Sequence, residues 1–299
     1  MKRSTWNIIR RNGWRVDRTI HAWIYFTYYD RYVRLLLGSG RVLERWFKRF
    51  GLTGLAFREV FQRYHGKVLS LEDATRILRM DHDLVLGSEE TKRIIPYHHA
   101  NKVILQEPDY IVVMDCPCRM ASEHPCEPID VCMAVGKPIA EFWLEHGKKF
   151  HARKISADEA IELLKRLRAQ GCVTNAWFKD CTDGFYAFCN CRTCCCGSLE
   201  SMRIVRQLKG AERIPPMITP SGYVVRVDEE KCVACGGCAG ICPFGASVVE
   251  EDGRVSYHLE LCMGGGICVD NCPQGARTLV RDPGRLEPLD VEAMASGRH

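Results

Sequence analysis

Cysteine is the residue type in this sequence most able to do chemistry: there are 18 in 299 residues. Two runs near the C-terminus, KCVACGGCAGICPFGA and LCMGGGICVDNCPQGA, hold a related pattern. The first spaces Cys232, Cys235 and Cys238 two residues apart and sets Cys242 directly before Pro243. Thiolates at two-residue intervals wrap one corner of a cubane iron–sulfur cluster, and a cysteine before proline reaches across to a second one. Ala234, Gly236, Gly237, Ala239 and Gly240 are small enough to let backbone amides approach the cluster sulfurs. Zinc asks for four thiolates in a closed tetrahedron, usually from two knuckles farther apart, and suits this spacing poorly. The second run keeps Cys262, Cys268 and Cys272 but holds Gly265 where the repeat calls for a cysteine.

These runs, with their matching CPFGA and CPQGA endings, resemble the bacterial-type two-cluster ferredoxin family over residues 220–285. The family's crossed ligation implies one cluster on Cys232, Cys235, Cys238 and Cys272, and another on Cys242, Cys262 and Cys268. For the site lacking a ligand at Gly265, the resemblance favours [3Fe-4S], because an iron held only by sulfides and solvent is the one that departs. Two alternatives stay open. One is a [4Fe-4S] cluster completed by Asp270 or a solvent oxygen; the other is loss of the cluster.

Eleven more cysteines lie upstream, most of them in the runs DCPCRMASEHPCEPIDVC and FCNCRTCCCG. The early CPCR and the later C-x-C-x2-CCC resemble an upstream region of less characterised 4Fe-4S ferredoxin-type proteins, over roughly residues 105–200. Cys116, Cys118, Cys126 and Cys132 make one ligand set; Cys189, Cys191, Cys194, Cys195 and Cys196 make another. Three adjacent cysteines point in different directions, so Cys194, Cys195 and Cys196 do not all serve one iron. One or two further iron–sulfur clusters are expected, with structural zinc or unmetallated thiols as the alternatives. Cys172 reads as an ordinary buried cysteine, and Cys181 is left unassigned. His98, His99 and His124 are not taken as ligands.

The elements that must carry these residues follow from local pattern. Ser70 with Asp73, and Ser156 with Glu159, read as helix starts ahead of apolar residues at helical spacing: Leu71, Ala74, Ile77 and Leu78 in the first, Ile161, Leu163, Leu164 and Leu167 in the second. Gly171 stops the second helix. Ile111 to Met114 is a short buried strand delivering Cys116 and Cys118. Another helix runs from Ser198 to about Leu208, and SVVEEDGRVSYHLE is a hairpin turning at Asp252 and Gly253. The expected class is α+β: a mainly helical cysteine-rich N-terminal region followed by a small ferredoxin-like α+β domain. Its parts are a basic aromatic helical arm at 1–65, a helical cysteine-rich domain at 66–209, a proline-rich linker at 210–219, the two-cluster domain at 220–285 and a low-order tail at 286–299. The arm is read as two or three helices broken near Gly38, Gly40, Gly51 and Gly54.

Composition narrows the function. With 46% hydrophobic and 26% charged residues the chain is globular in type. MKRSTWNIIRRNGWRV has no apolar core of a signal peptide, which with the cysteine spacing points to thiols in a reducing cytoplasm rather than a disulfide scaffold. No apolar run reaches 18 residues. Residues 1–50 hold 12 Lys or Arg against 3 Asp or Glu, a net +9 that leaves the rest at −4. Such an arm suits packing on its own body or a partner, or contact with the inner membrane face; no nucleic-acid motif accompanies it. No dinucleotide or phosphate-binding loop is present. The expected function is an electron carrier relaying single electrons through several clusters, as subunit or partner of a larger redox enzyme. A redox enzyme with a reactive cluster in the middle region and an iron–sulfur sensor are the competing readings.

Overall fold

The computed structural model describes residues 2–35, 37–38, 64–95, 103–179, 184–206 and 216–295. The N-terminal arm forms α1 (Arg3–Asn12) and α2 (Val16–Thr27). Ala22, Tyr25 and Phe26 of α2 are buried. Phe26 packs edge-on against Trp143, with ring centroids 5.5 Å apart. The buried Lys179 ammonium sits 3.0 Å from the centroid of Tyr25 and 4.6 Å from that of Tyr64, a cation–π cage that fastens the arm to the body. The breaks expected near Gly40, Gly51 and Gly54 lie outside the described residues.

Residues 66–209 were expected to be mainly helical; they are built instead on one large sheet. Its strands are β1 (Tyr64–Val68), β2 (Leu84–Leu86), β3 (Val103–Met114), β4 (Cys132–Lys137), β5 (Arg153–Ile155), β6 (Val173–Lys179), β7 (Gly184–Cys191) and β8 (Ile218–Thr219). The order is β2-β3-β4-β7-β6-β1-β8, and β5 also pairs with β3. All pairings are antiparallel except β1 with β8. All seven residues of β6 and all five of β1 are buried. Strands covered on both faces show no alternation of apolar and polar residues, and Thr174, Asn175, Lys67 and Lys179 break up what apolar run there is.

Helices cover the sheet: α3 (Leu71–Leu78), α4 (Ser88–Ile94), α5 (Pro117–Ala121), α6 (Ile139–His146), α7 (Ala157–Ala169) and α8 (Gly197–Arg206). Ser70 Oγ caps α3 by accepting from Asp73 N at 3.0 Å, and Ser156 Oγ caps α7 by accepting from Glu159 N at 3.1 Å. The carboxylate of Glu159 turns to Arg153 at 2.5 Å. Ile161, Leu163, Leu164 and Leu167 of α7 are buried as their spacing requires, each contributing about 1.5–3 kcal/mol. Gly171 ends the turn at φ +83, a conformation that favours glycine.

The proline-rich stretch read as a linker ends inside the sheet: Ile218 and Thr219 pair with Gly66 and Lys67. The C-terminal unit follows, with β9 (Tyr223–Val227), α9 (Gly237–Ile241), a hairpin of β10 (Ser247–Val249) and β11 (Val255–Tyr257), α10 (Ile267–Asp270) and β12 (Arg277–Arg281). β9 and β12 pair antiparallel, and the hairpin turns through Gly253 at φ +80. The residues beyond 285 are ordered in part, unlike the expected low-order tail. Leu289 and Val291 are buried, Asp290 is held by Arg76 at 2.8 Å, and a short α11 (Val291–Ala295) closes the described chain.

Candidate metal centres

The C-terminal unit holds two hollows. Cys232, Cys235, Cys238 and Cys272 line one; Cys242, Cys262 and Cys268 line the other. Each therefore draws a cysteine from the opposite run. The backbone repeats as well: Gly236 before α9 and Gly266 before α10 stand at φ +73 and +74. Gly265 occupies the backbone place of Cys235. In the second hollow, Ala246 N donates to Cys242 Sγ and Gly264 N to Cys262 Sγ, each at 3.4 Å. Burial pushes the Cys268 thiol up to about 11. Donor type and placement fit a cluster in each hollow.

The glycine that stands in place of the fourth cysteine is closely packed. A Cβ on Gly265 would lie 3.2 Å from Val173 Cγ2 and 3.3 Å from Val68 Cγ1, both from the large sheet. At Gly264 it would meet Ser221 Oγ at 2.2 Å and Tyr223 O at 2.3 Å. This glycine loop docks on the sheet, whereas Cys235, its counterpart, is exposed. Arg168 of α7, 1% exposed, clamps the dock: its guanidinium donates to Asp270 Oδ2 at 2.6 Å and to Gly265 O at 2.5 Å. Asp270, considered above as a substitute ligand, has that carboxylate oxygen committed to Arg168.

The upstream cysteines do not group as their sequence order suggested. Cys116, Cys118, Cys132, Cys189, Cys191 and Cys196 gather at one end of the sheet. There, the end of β3, the start of β4 and the end of β7 lie side by side, joined by α5 and the start of α8. The Cys116 thiol lies beside those of Cys118 and Cys132, Cys132 beside Cys189, and Cys191 beside Cys196. Hydrogen bonds from Cys118 and Cys132 hold the Cys116 thiol well below its usual range despite burial. A hollow there is lined by Cys116, Cys118, Cys189, Cys191, Cys195 and Cys196. Trp177 lines it too, and its buried Nε1 has no hydrogen-bond partner among the described residues.

Cys126, Cys194 and Cys195 form a separate set. Cys126 and Cys195 sulfurs are 2.9 Å apart and those of Cys194 and Cys195 3.5 Å. Burial works against the Cys194 thiolate, but hydrogen bonds from Cys126 and Cys195, with Arg192 nearby, hold its thiol below the ordinary range. Arg119, fully buried beneath them, donates to Cys126 O at 3.3 Å, to Pro128 O, to Asn190 O at 3.3 Å and to Cys172 Sγ at 3.4 Å. Cys172 is thus a buried thiol paired with an arginine. Cys181, His98 and His99 lie outside the described residues, and His124 lines an open cleft beside Cys194.

Sequence reading missed Arg168 and Arg119. Arg168 had a signal: it stands four residues after Leu164, on the buried face of α7. Arg119 had only its place directly after Cys-Pro-Cys.

Residues 225–247 and 255–278 match the family described as a 4Fe-4S binding domain, so this chain carries that domain at its C-terminal end. The chain is 41% identical over 56 residues to pyruvate synthase subunit PorD of Methanocaldococcus jannaschii, covering 19% of this chain and 65% of that protein. It is 45% identical over 69 residues to indolepyruvate oxidoreductase subunit IorA of Methanothermobacter marburgensis, covering 21% and 11%. It is 34% identical over 53 residues to the polyferredoxin protein MvhB of Methanothermus fervidus, covering 18% and 12%. The chain spans less than two thirds of each of these relatives.

Proposed function

We propose that this chain is an iron–sulfur protein that relays single electrons between a donor and an acceptor, as a subunit or partner of a larger oxidoreductase. The observation that carries this reading is the pair of matched thiol-lined hollows within one 4Fe-4S binding domain. The relatives named above are a pyruvate synthase subunit, an indolepyruvate oxidoreductase subunit and a polyferredoxin, which suits a partner role.

In this reading Cys232, Cys235, Cys238 and Cys272 hold a [4Fe-4S] cluster. Cys242, Cys262 and Cys268 hold a [3Fe-4S] cluster, with Gly265 the reason for its missing iron. The six-thiol group at the sheet end holds a third cluster. Such clusters supply reversible one-electron chemistry when bound. The chain's own part is to tune them. Amides donating to Cys242 and Cys262, and the buried Arg168 cation beside this site, favour added negative charge and so raise the potential of the second site.

The arm is the membrane-facing part of the proposal. Val16, Ile20, Trp23 and Ile24 make an exposed stripe on α2, and Trp14 is fully exposed beside Arg15. An apolar stripe with arginines suits the inner face of an anionic membrane. Among the described residues no helix is long and apolar enough to cross one.

The test of the relay is iron analysis with low-temperature EPR on anaerobically purified protein, oxidised and dithionite-reduced. The expected result is about seven irons or more and a [3Fe-4S] signal that vanishes on mild reduction. A chain with no reducible iron signal overturns the reading.

A further inference from the structure

We infer that Cys126, Cys194 and Cys195 bind a single soft divalent ion, zinc, separately from any iron–sulfur cluster, with the fourth position open to the adjoining cleft. Among the described residues they are the one set of three metal-binding side chains whose ligand atoms all lie within 4.8 Å of one another. The cysteines of the two ferredoxin hollows, placed for clusters, do not meet that condition, and neither do the six thiols at the sheet end. The contrast is geometric. Thiolates on a cluster each bind a different iron and diverge from corner to corner. Thiolates on one tetrahedral ion with bonds of about 2.3 Å lie about 3.8 Å apart. With sulfur separations of 2.9 and 3.5 Å and all three sulfurs inside 4.8 Å of one another, the set is nearer the spacing of ligands on one ion than that of ligands on separate cluster irons, and the sulfurs would part somewhat to take up an ion.

The surroundings suit a thiolate-bound cation. Soft sulfur ligands select zinc over hard cations. Three thiolates on a divalent ion leave one net negative charge, and the buried Arg119 guanidinium lies directly below, bonded to the backbone of Cys126. The set is delivered by two loops that meet only in the fold, Cys126 after α5 and Cys194–Cys195 before α8. Cys196, next in sequence, is buried and turns inward to Cys191, so the boundary between the two sites falls within one run of three cysteines. The outer side opens on a cleft lined by Arg34, Glu123, His124 and Glu200, where a further ligand can approach the fourth position.

The inference is independent of the relay reading. Metal analysis of the anaerobically purified full chain is expected to give about one zinc beside its iron. Exchange with cobalt(II) is expected to give the thiolate charge-transfer and tetrahedral visible bands of a sulfur-rich site. In Cys126→Ser/Cys194→Ser both zinc and the cobalt bands are lost while the iron content stays at the wild-type level. Cys172→Ser, one loop away, keeps them. Wild-type protein that holds no zinc and develops no cobalt bands overturns the inference without needing any variant to fold. A double variant that loses iron instead of zinc also overturns it, by giving these cysteines to a cluster. Failure of the relay reading shows elsewhere, as absence of a reducible iron signal in the wild type.

Discussion

Arg168 and Asp270, 102 residues apart in sequence, meet through a guanidinium Nε–H donated to a carboxylate oxygen at 2.6 Å. The arginine belongs to α7 of the sheet and the aspartate to α10 of the ferredoxin unit, so one ion pair spans the junction. Removing one partner of a buried pair costs about 3–5 kcal/mol. Asp270 is 26% exposed, which sets the expected loss for Arg168→Met at the lower end of that range. Anaerobic urea unfolding followed by tryptophan fluorescence reads it. A redox titration of the same variant should move the second-site signal to a more negative potential, while the first-site signal stays in place.

Gly265 offers a sharper test of the dock. Gly265→Ala pushes a methyl group against Val68 and Val173 and is expected to destabilise the chain by about 1–3 kcal/mol. Val173→Ala opens the needed space, so the double variant should be more stable than the sum of the single losses predicts, by about 0.5 kcal/mol or more, an amount typical of contacting residues. Strict additivity in this double-mutant cycle would sink the packing account of Gly265.

For the thiols at the sheet end, Cys116→Ala/Cys191→Ser is expected to remove about four irons per chain, one cubane's content. The EPR signals of the C-terminal pair should remain. Cys172→Ser should leave the iron count unchanged, since that thiol faces Arg119 rather than the hollow. Equal iron in all three proteins would leave the sheet-end group without a cluster.

Lys67 gives a pH dependence. Its ammonium is buried, donating to Ile94 O at 2.9 Å and Pro220 O at 3.1 Å, and burial, with Arg281 nearby, pushes its pKa down from 10.5 to about 7. Between those values the unfolded chain holds a proton that the folded chain has released. Stability therefore rises with pH across this window, by up to about 1.4 kcal/mol per unit. Lys67→Met removes this component. Unfolding free energies of wild type and variant, measured at steps from about pH 7 to 9 within that window, should differ by a slope of that sign. Thiols titrate in both proteins and cancel in the difference.

How much of this was legible from the sequence depended on where the partners of each residue lie. The ferredoxin repeat was readable because its ligands sit a few residues apart and its turns need glycine at fixed places, as Gly236 and Gly266 do. The capped helices were readable for the same local reason. The sheet was not: YHGKV and VTNAWFK carry His, Lys, Thr and Asn into full burial, so neither the period of a strand nor an apolar run stood out. The cysteine grouping was hidden by that omission. Once β3, β4 and β7 are neighbours, Cys116, Cys132 and Cys189 are neighbours, and sequence order no longer decides who shares a site. Gly265 looked like a lost ligand in isolation; the side chains that pack against it, Val68 and Val173, lie far away along the chain.

The return of Ile218 and Thr219 into the large sheet has a bearing on traffic through the molecule. With β8 woven in before the ferredoxin unit and Asp290 fastened to Arg76 after it, that unit is moored at both ends. A redox module on a leash works as a ferry, at a pace set by leash length and solvent viscosity. A moored one is a pier. Under the relay reading its outer edge, where Cys235 and Val233 face solvent, is the landing stage, and the visiting protein does the travelling.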